Sequence, residues 1–401
     1  MRAWYSLPIL ALLLGCSSDP ATGEDPDAGD VGGDDALDTG SPTEAGADAT
    51  DSGASDTSGD TGTPTDTAAP ADTGVDAPVG PKADIHYIGR FDKNATRARF
   101  DWSGSALRTR FVGTGIDVKL AGSANQFQVE IDGAPTAVIK HAGGTVTHSL
   151  AKGLTDAEHD LLLVKRTEAF YYPVDFLGFV PTSGKPLVPT AARTRLIEVI
   201  GDSITCGYGV LGASVSCSFS ADTESAYDAY GSIAARALNA EAVMISWSGI
   251  GAYRDNGGKT SEQMPTLWTR TLGTDPAPWS FSYTPDAVIV NLGTNDFAKG
   301  DPGKPYETAM TGLVKDIRKR YPKAEIFLAL GSMLTDPDLS KARAHLDAVI
   351  TGLGDAKVSR VELGVQDLAV DGGGCDYHPN VKTQKKMADK LVVALKARLG
   401  W

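Results

Sequence analysis

The 401-residue chain is predicted to hold an α/β domain, a parallel sheet with helices on both faces, preceded by a β-sandwich. Three observations lead there. Between 83 and 187, short alternating segments are parted by glycine turns, with no helix-period stretch among them. Between 188 and 401, apolar strand-type runs alternate with amphipathic helical patterns. Ahead of both, 16–82 is a tract of Asp, Gly, Ala, Thr, Ser and Pro with no aromatic residue, which cannot bury enough apolar surface to fold.

In chain order, Arg2 precedes an apolar run from Leu7 to Leu14 that is short for a spanning helix. The run ends Leu13-Leu14-Gly15-Cys16, which resembles a bacterial lipobox, so 1–15 is expected to be a lipoprotein signal peptide and Cys16 the lipidated residue. No other stretch could span a membrane. The linker 16–82 carries 16 acidic residues and one lysine, a net of −15; with Arg2 added this accounts for the whole-chain charge of −14 and leaves 83–401 neutral. A neutral folded part offers no basic excess for nucleic acid and suits an uncharged substrate. The repelling, Pro-punctuated linker is expected to stay extended.

The sandwich segments are Arg97 to Trp102, Ala106 to Phe111, Gly115 to Leu120, Gln126 to Ile131, Ala137 to Ile139 and His159 to Arg166. Thr114-Gly115, Asp132-Gly133 and Gly143-Gly144 supply turns. The second domain reads as strands Leu196 to Ile200, Ala242 to Trp247, Asp286 to Leu292 and Glu325 to Leu330. Its helices are expected over Ser225 to Leu238, Tyr306 to Arg320, Leu339 to Leu353 and Val381 to Leu399. In such sheets ligands bind outside the carboxyl ends of the strands.

Three residues of chemical interest follow strand ends: Ser203 in Gly201-Asp202-Ser203, Gly251 in Ser248-Gly249-Ile250-Gly251, and Asn295 in Gly293-Thr294-Asn295. A serine hydroxyl becomes a nucleophile when an imidazole can take its proton, and His378, just before the last helix, is the candidate base. Asp376, two residues earlier, could orient the ring. A tetrahedral intermediate needs donors aimed at its oxyanion; Asn295 can offer a side-chain amide and a glycine its backbone N–H. Asp202 and Asp296 adjoin these residues and are expected to cap backbone amides.

Serine, glycine, asparagine and histidine in that order resemble the four blocks of SGNH (GDSL-type) hydrolases. By position within its block, Gly251 matches the family's oxyanion glycine better than Gly249. The segments Gly-Asp-Ser-Ile-Thr-Cys-Gly-Tyr-Gly at 201–209, Trp-Ser-Gly-Ile-Gly-Ala-Tyr-Arg at 247–254 and Cys-Asp-Tyr-His-Pro-Asn at 375–380 resemble carbohydrate esterase family 2 more narrowly. That resemblance implies a jelly-roll form for the sandwich and removal of O-acetyl groups from plant polysaccharides, with Ser203, His378 and Asp376 as catalytic residues. Ser203, Gly251 and Asn295 would form the oxyanion hole. One residue separates acid from base here where many SGNH members have two, and some members of the narrower family lack the acid.

Tyr377, Trp247 and Tyr253 could line the substrate pocket, although aromatic residues at strand ends are as often packing. Cys206 could pair with Cys217 and brace the loop after the nucleophile; pairing of Cys206 with Cys375 stays open. The Cys375, Asp376 and His378 cluster lacks a second pair at zinc-like spacing, so no metal or other cofactor is expected. The expected partners are an acetylated glycan and, through the lipid anchor, the cell envelope, with an outer-membrane or cell-surface location. A lipid or envelope acyl esterase and a non-catalytic glycan binder are the alternative readings.

Overall fold

The computed structural model describes residues 82–401. The expectations for the signal peptide 1–15, for Cys16 and, Lys82 apart, for the acidic linker lie outside the described residues. No helix among the described residues is long and apolar enough to cross a membrane.

The sandwich is two five-stranded antiparallel sheets, jelly-roll-like in form. One runs, in spatial order, His86–Ile88, Ala106–Val112, Glu158–Lys165, Asn125–Ile131 and Ala134–His141. The other runs Asp92–Lys93, Ala98–Phe100, Val174–Pro181, Ile116–Gly122 and Val146–Ala151. Alternation decides which side chains meet between them: Leu107 and Phe111 from one strand, Ile116, Val118 and Leu120 from another, fill one core with Phe127 and Val129. The strands at Val146–Ala151 and Val174–Pro181 had no counterpart among the expected segments. The first is mostly exposed and polar, so it carries little alternation to read.

The second domain has a five-stranded, wholly parallel sheet ordered Glu241–Ser246, Leu196–Gly201, Ala287–Asn291, Glu325–Leu330, Val358–Glu362. The three central strands are buried nearly throughout, which is why they read as continuous apolar runs. Ile197 and Val199 face a core shared with helices Tyr230–Ala237 and Val381–Leu399. Ile200, Val288 and Val290 face the opposite core, covered by Gly303–Arg320 and Asp338–Leu353. The expected helix Ser225 to Leu238 divides: a 3-10 turn at Ala226–Asp228 is parted from the helix by Ala229, which is extended.

The two domains share a core. Ile88, Trp102, Ala106, Val164 and Ala169 of the sandwich pack with Val243, Ile245 and Trp268 of the sheet domain. Polar groups cross the same boundary: the fully buried Arg90 donates to Tyr283 Oη at 3.1 Å and lies 3.5 Å from the buried Glu198 carboxylate on the strand Leu196–Gly201. Asp101 accepts the backbone N–H groups of Gly273 and Thr274, each at 3.0 Å.

Candidate active site

The strand Leu196–Gly201 ends in a turn too tight for any side chain at its last residue. A Cβ on Gly201 would lie 2.1 Å from Thr205 Oγ1. Asp202 caps the short helix Ser203–Cys206 by accepting the Ile204 N–H at 3.0 Å. Ser203 thus opens a helix at the carboxyl edge of the sheet, 6% exposed, with Oγ 2.8 Å from His378 Nε2. Burial lowers the His378 imidazole below its ordinary value, against a smaller upward pull from the Asp376 carbonyl, so the ring is held neutral and able to accept a proton.

The other face of His378 differs from the expected triad. Its Nδ1 meets the main-chain carbonyl of Asp376 at 3.0 Å. The Asp376 carboxylate instead accepts from Tyr208 Oη at 2.9 Å and from the Phe219 N–H at 3.1 Å. With only Tyr377 between them, Asp376 and His378 are joined by a turn in which both Asp376 (φ 51°) and Tyr377 (φ 61°) are left-handed. This turn aims the carbonyl, and not the carboxylate, at the ring. Tyr208 packs on His378 with ring centroids 4.3 Å apart and stacks on Phe219 at 3.9 Å, so the Asp376 carboxylate fixes an aromatic wall beside the His378 ring.

The cysteines also depart from expectation. The disulfide joins Cys217 to Cys375, and Cys206 is a free, buried thiol. Cys206 ends the helix that Ser203 begins and is enclosed beside Ser246 Oγ (3.2 Å), whereas Cys217 lies in a loop running alongside the histidine turn. There the Asp376 N–H donates to Cys217 O at 3.1 Å and the Cys375 N–H to Gly209 O at 3.0 Å. The bridge therefore braces the histidine turn and not the helix of the serine.

The glycine loop after Glu241–Ser246 is pinned at nearly every residue. Ser248 N–H donates to Glu168 at 2.7 Å, Ile250 O accepts Asn295 Nδ2 at 2.9 Å, and Gly251 N–H donates to Gln263 Oε1 at 3.0 Å. Asp296 accepts the N–H groups of Ala252, Tyr253 and Arg254 at 2.7–3.0 Å, the capping role expected of it. The Gly251 N–H expected to serve as an oxyanion donor is thus already committed to Gln263. The Gly249 N–H has no acceptor among the described residues. Gly249 adopts φ +81°, a conformation that leaves glycine the natural occupant.

Asn295, on the short helix Thr294–Phe297, is 7% exposed, and its second Nδ2 hydrogen lies on the side of Asp202 Oδ2 at 3.3 Å. Burial, with the negative Asp296 adding to it, pushes the Asp202 carboxyl up to about 7 despite the Ile204 N–H bond. Of the expected lining residues, Tyr377 is 58% exposed. Trp247 and Tyr253 are half-buried against the core shared by the domains, Trp247 edge-on to Trp102. Glu168, Gln263, Tyr208 and Phe219 were not anticipated from sequence. Each is a single polar or aromatic residue in a loop, and only the fold brings it to the site.

Two family models match the chain: Carbohydrate esterase 2 N-terminal over residues 87–190, and GDSL-like Lipase/Acylhydrolase family over residues 199–386. A cellulase/esterase, CelE, of Acetivibrio thermocellus is 40% identical over 79% of this chain, which spans 40% of that protein's length. An acetylxylan esterase / glucomannan deacetylase of Cellvibrio japonicus is 27% identical over 79% of this chain and 89% of its own. The solved structure of a family two carbohydrate esterase from Clostridium thermocellum, in complex with cellohexaose, is 40% identical. It covers 79% of this chain and 99% of its own, with a TM-score of 0.76.

Proposed function

This chain belongs to carbohydrate esterase family 2, and from that premise we propose that it removes O-acetyl groups from plant-type polysaccharides or oligosaccharides through an acetyl-enzyme on Ser203. The observation that carries the reading is the 2.8 Å hydrogen bond between Ser203 Oγ and a half-buried, neutral His378 beside a glycine loop with one uncommitted amide. His378 Nε2 takes the hydroxyl proton as Oγ attacks the acetyl carbonyl carbon. The tetrahedral oxyanion is met by Asn295 Nδ2, the Gly249 N–H and the Ser203 N–H at the helix start. Collapse breaks the bond to the sugar oxygen, which takes its proton from His378. Water, deprotonated by the same ring, then attacks the acetyl carbonyl, and the proton returns to Ser203 as acetate leaves. Catalysis runs on a Ser203–His378 dyad, the ring being held by a main-chain carbonyl.

Support for a glycan as substrate comes from the neutral charge of 83–401 and from the exposed Tyr377 beside the base, which offers a face on which a sugar ring can stack. The hemicellulose acetyl ester is tested by acetate release from acetylated xylan and glucomannan; activity retained in Ser203→Ala would refute it. The chain further reads as an exported lipoprotein anchored at Cys16, at the outer membrane or cell surface, on the strength of Leu13-Leu14-Gly15-Cys16 and the acidic linker behind it. Incorporation of labelled palmitate that survives Cys16→Ala would refute the anchor.

A further inference from the structure

We propose that Glu168, a sandwich residue, is a positioning residue for the oxyanion loop of the neighbouring domain, so that the sandwich sets turnover as well as supporting the fold. Glu168 stands just after the strand Glu158–Lys165, at the start of the 3-10 turn Ala169–Tyr171, and is fully buried. Its two carboxylate oxygens divide between the two groups of one residue: Oε2 accepts the Ser248 N–H at 2.7 Å and Oε1 the Ser248 hydroxyl at 2.5 Å. Ser248 is the residue before Gly249, whose amide is the uncommitted donor. Oε2 also lies 3.5 Å from Cys206 Sγ, at the far end of the helix that Ser203 begins. One carboxylate therefore touches both the loop of the oxyanion donor and the helix of the nucleophile.

The surroundings make this grip rigid. Lys165 Nζ donates to the carbonyls of Thr167 (2.6 Å) and Glu168 (3.1 Å), and the Glu168 N–H donates to Glu224 Oε2 at 3.2 Å, so the turn is held from both sides. A buried carboxylate is costly unless hydrogen-bonded, and here the donors that compensate it come from the glycine loop. Displacing that loop strips the Glu168 oxygens of their two closest donors, leaving the Cys206 thiol at 3.5 Å. Glu168, Cys206 and Glu224 lie close enough to suggest a metal site. The adjacent Lys165 Nζ, whose pKa burial lowers to about 8, instead donates to the Thr167 and Glu168 carbonyls at the edge of this cluster.

The test compares kcat and KM on an aryl acetate for wild type and four variants. Glu168→Ala is expected to lose about 10²-fold in kcat with KM within about twofold, the consequence of a donor moved by an ångström or less. Glu168→Gln, which keeps an acceptor for the Ser248 N–H, is expected to recover kcat to within about tenfold of wild type. Asp101→Asn alters an equally buried sandwich carboxylate that grips Gly273 and Thr274 instead, and is expected to leave both constants within about twofold. Ser248→Ala, at a half-buried position that tolerates the change, is expected to lower kcat about fivefold and covers the case in which Glu168→Ala does not fold.

Wild-type kcat in Glu168→Ala or Ser248→Ala, a loss confined to KM, or an equal kcat loss in Asp101→Asn would overturn the assignment. It rests on the esterase reading above. Wild-type turnover that is absent, or that survives Ser203→Ala, would remove both, whereas Ser203-dependent turnover indifferent to Glu168 would remove this role alone.

Discussion

His378 takes its orientation from the Asp376 carbonyl, and removing the Asp376 charge should therefore cost little. In serine hydrolases whose histidine leans on a carboxylate, the matching Asp→Asn change lowers kcat by about 10⁴. Here Asp376→Asn is expected to stay within about tenfold of wild type, the loss coming from a looser Tyr208–Phe219 wall; a steady-state comparison on an aryl acetate checks it. The acidity of two neighbours sets a pH profile. His378 must be neutral to accept a proton and lies below its usual range, so kcat rises with pH and is past its midpoint before about 6.5. Asp202 ionises through about 7, and its carboxylate then competes with the oxyanion for Asn295 Nδ2, so kcat falls again on the alkaline side. Asp202→Asn should abolish the alkaline limb and keep the acid one. Ser203 and His378, which the structure brings within 2.8 Å, could be singled out in sequence, as could Asn295, because each stands in a short contiguous motif. Which of Gly249 and Gly251 keeps a free amide was not, since Gln263, twelve residues on, decides it.

Segments behave in the same way. The strands flanking the site and the helix Val381–Leu399 could be read almost to the residue, because both faces of a parallel sheet are apolar and the helix has an asparagine cap at Asn380, accepting the Thr383 N–H. Loops without periodicity could not: the pairing of Cys217 with Cys375 depends on a loop lying against the histidine turn 158 residues away. The bridge ties two segments that otherwise meet through a few backbone bonds, and it supports consecutive left-handed residues at Asp376 and Tyr377. Cys217→Ser, or reduction, is expected to lower kcat more than Cys206→Ser does and to reduce stability by about 2–5 kcal/mol. Thermal melting with and without reductant, beside kcat, separates the two effects.

Across the whole molecule, the sandwich and the sheet domain are energetically one body. Their common core and the buried Arg90, which faces Glu198, Tyr283 and the carbonyls of Trp268 and Arg270, leave neither half with a complete interior. Arg90→Ala would remove the guanidinium facing Glu198, leaving that carboxylate only the neutral donors of Trp268, Tyr283 and Tyr321, and is expected to cost about 3–5 kcal/mol in denaturant unfolding, with one cooperative transition in wild type. Two domains were legible from the change of period near Pro186; their dependence on each other was not, because Arg90, Asp101 and Glu168 are isolated charges in the sequence. The central claim, a Ser203 acetyl-enzyme serving glycan deacetylation, is tested most directly by acetate release from acetylated xylan and glucomannan. A butyrate-to-octanoate aryl ester series is run alongside, with wild type and Ser203→Ala in parallel. The account predicts Ser203-dependent acetate release with activity falling steeply beyond acetyl; silence on both glycans with the longer esters cleaved would contradict it.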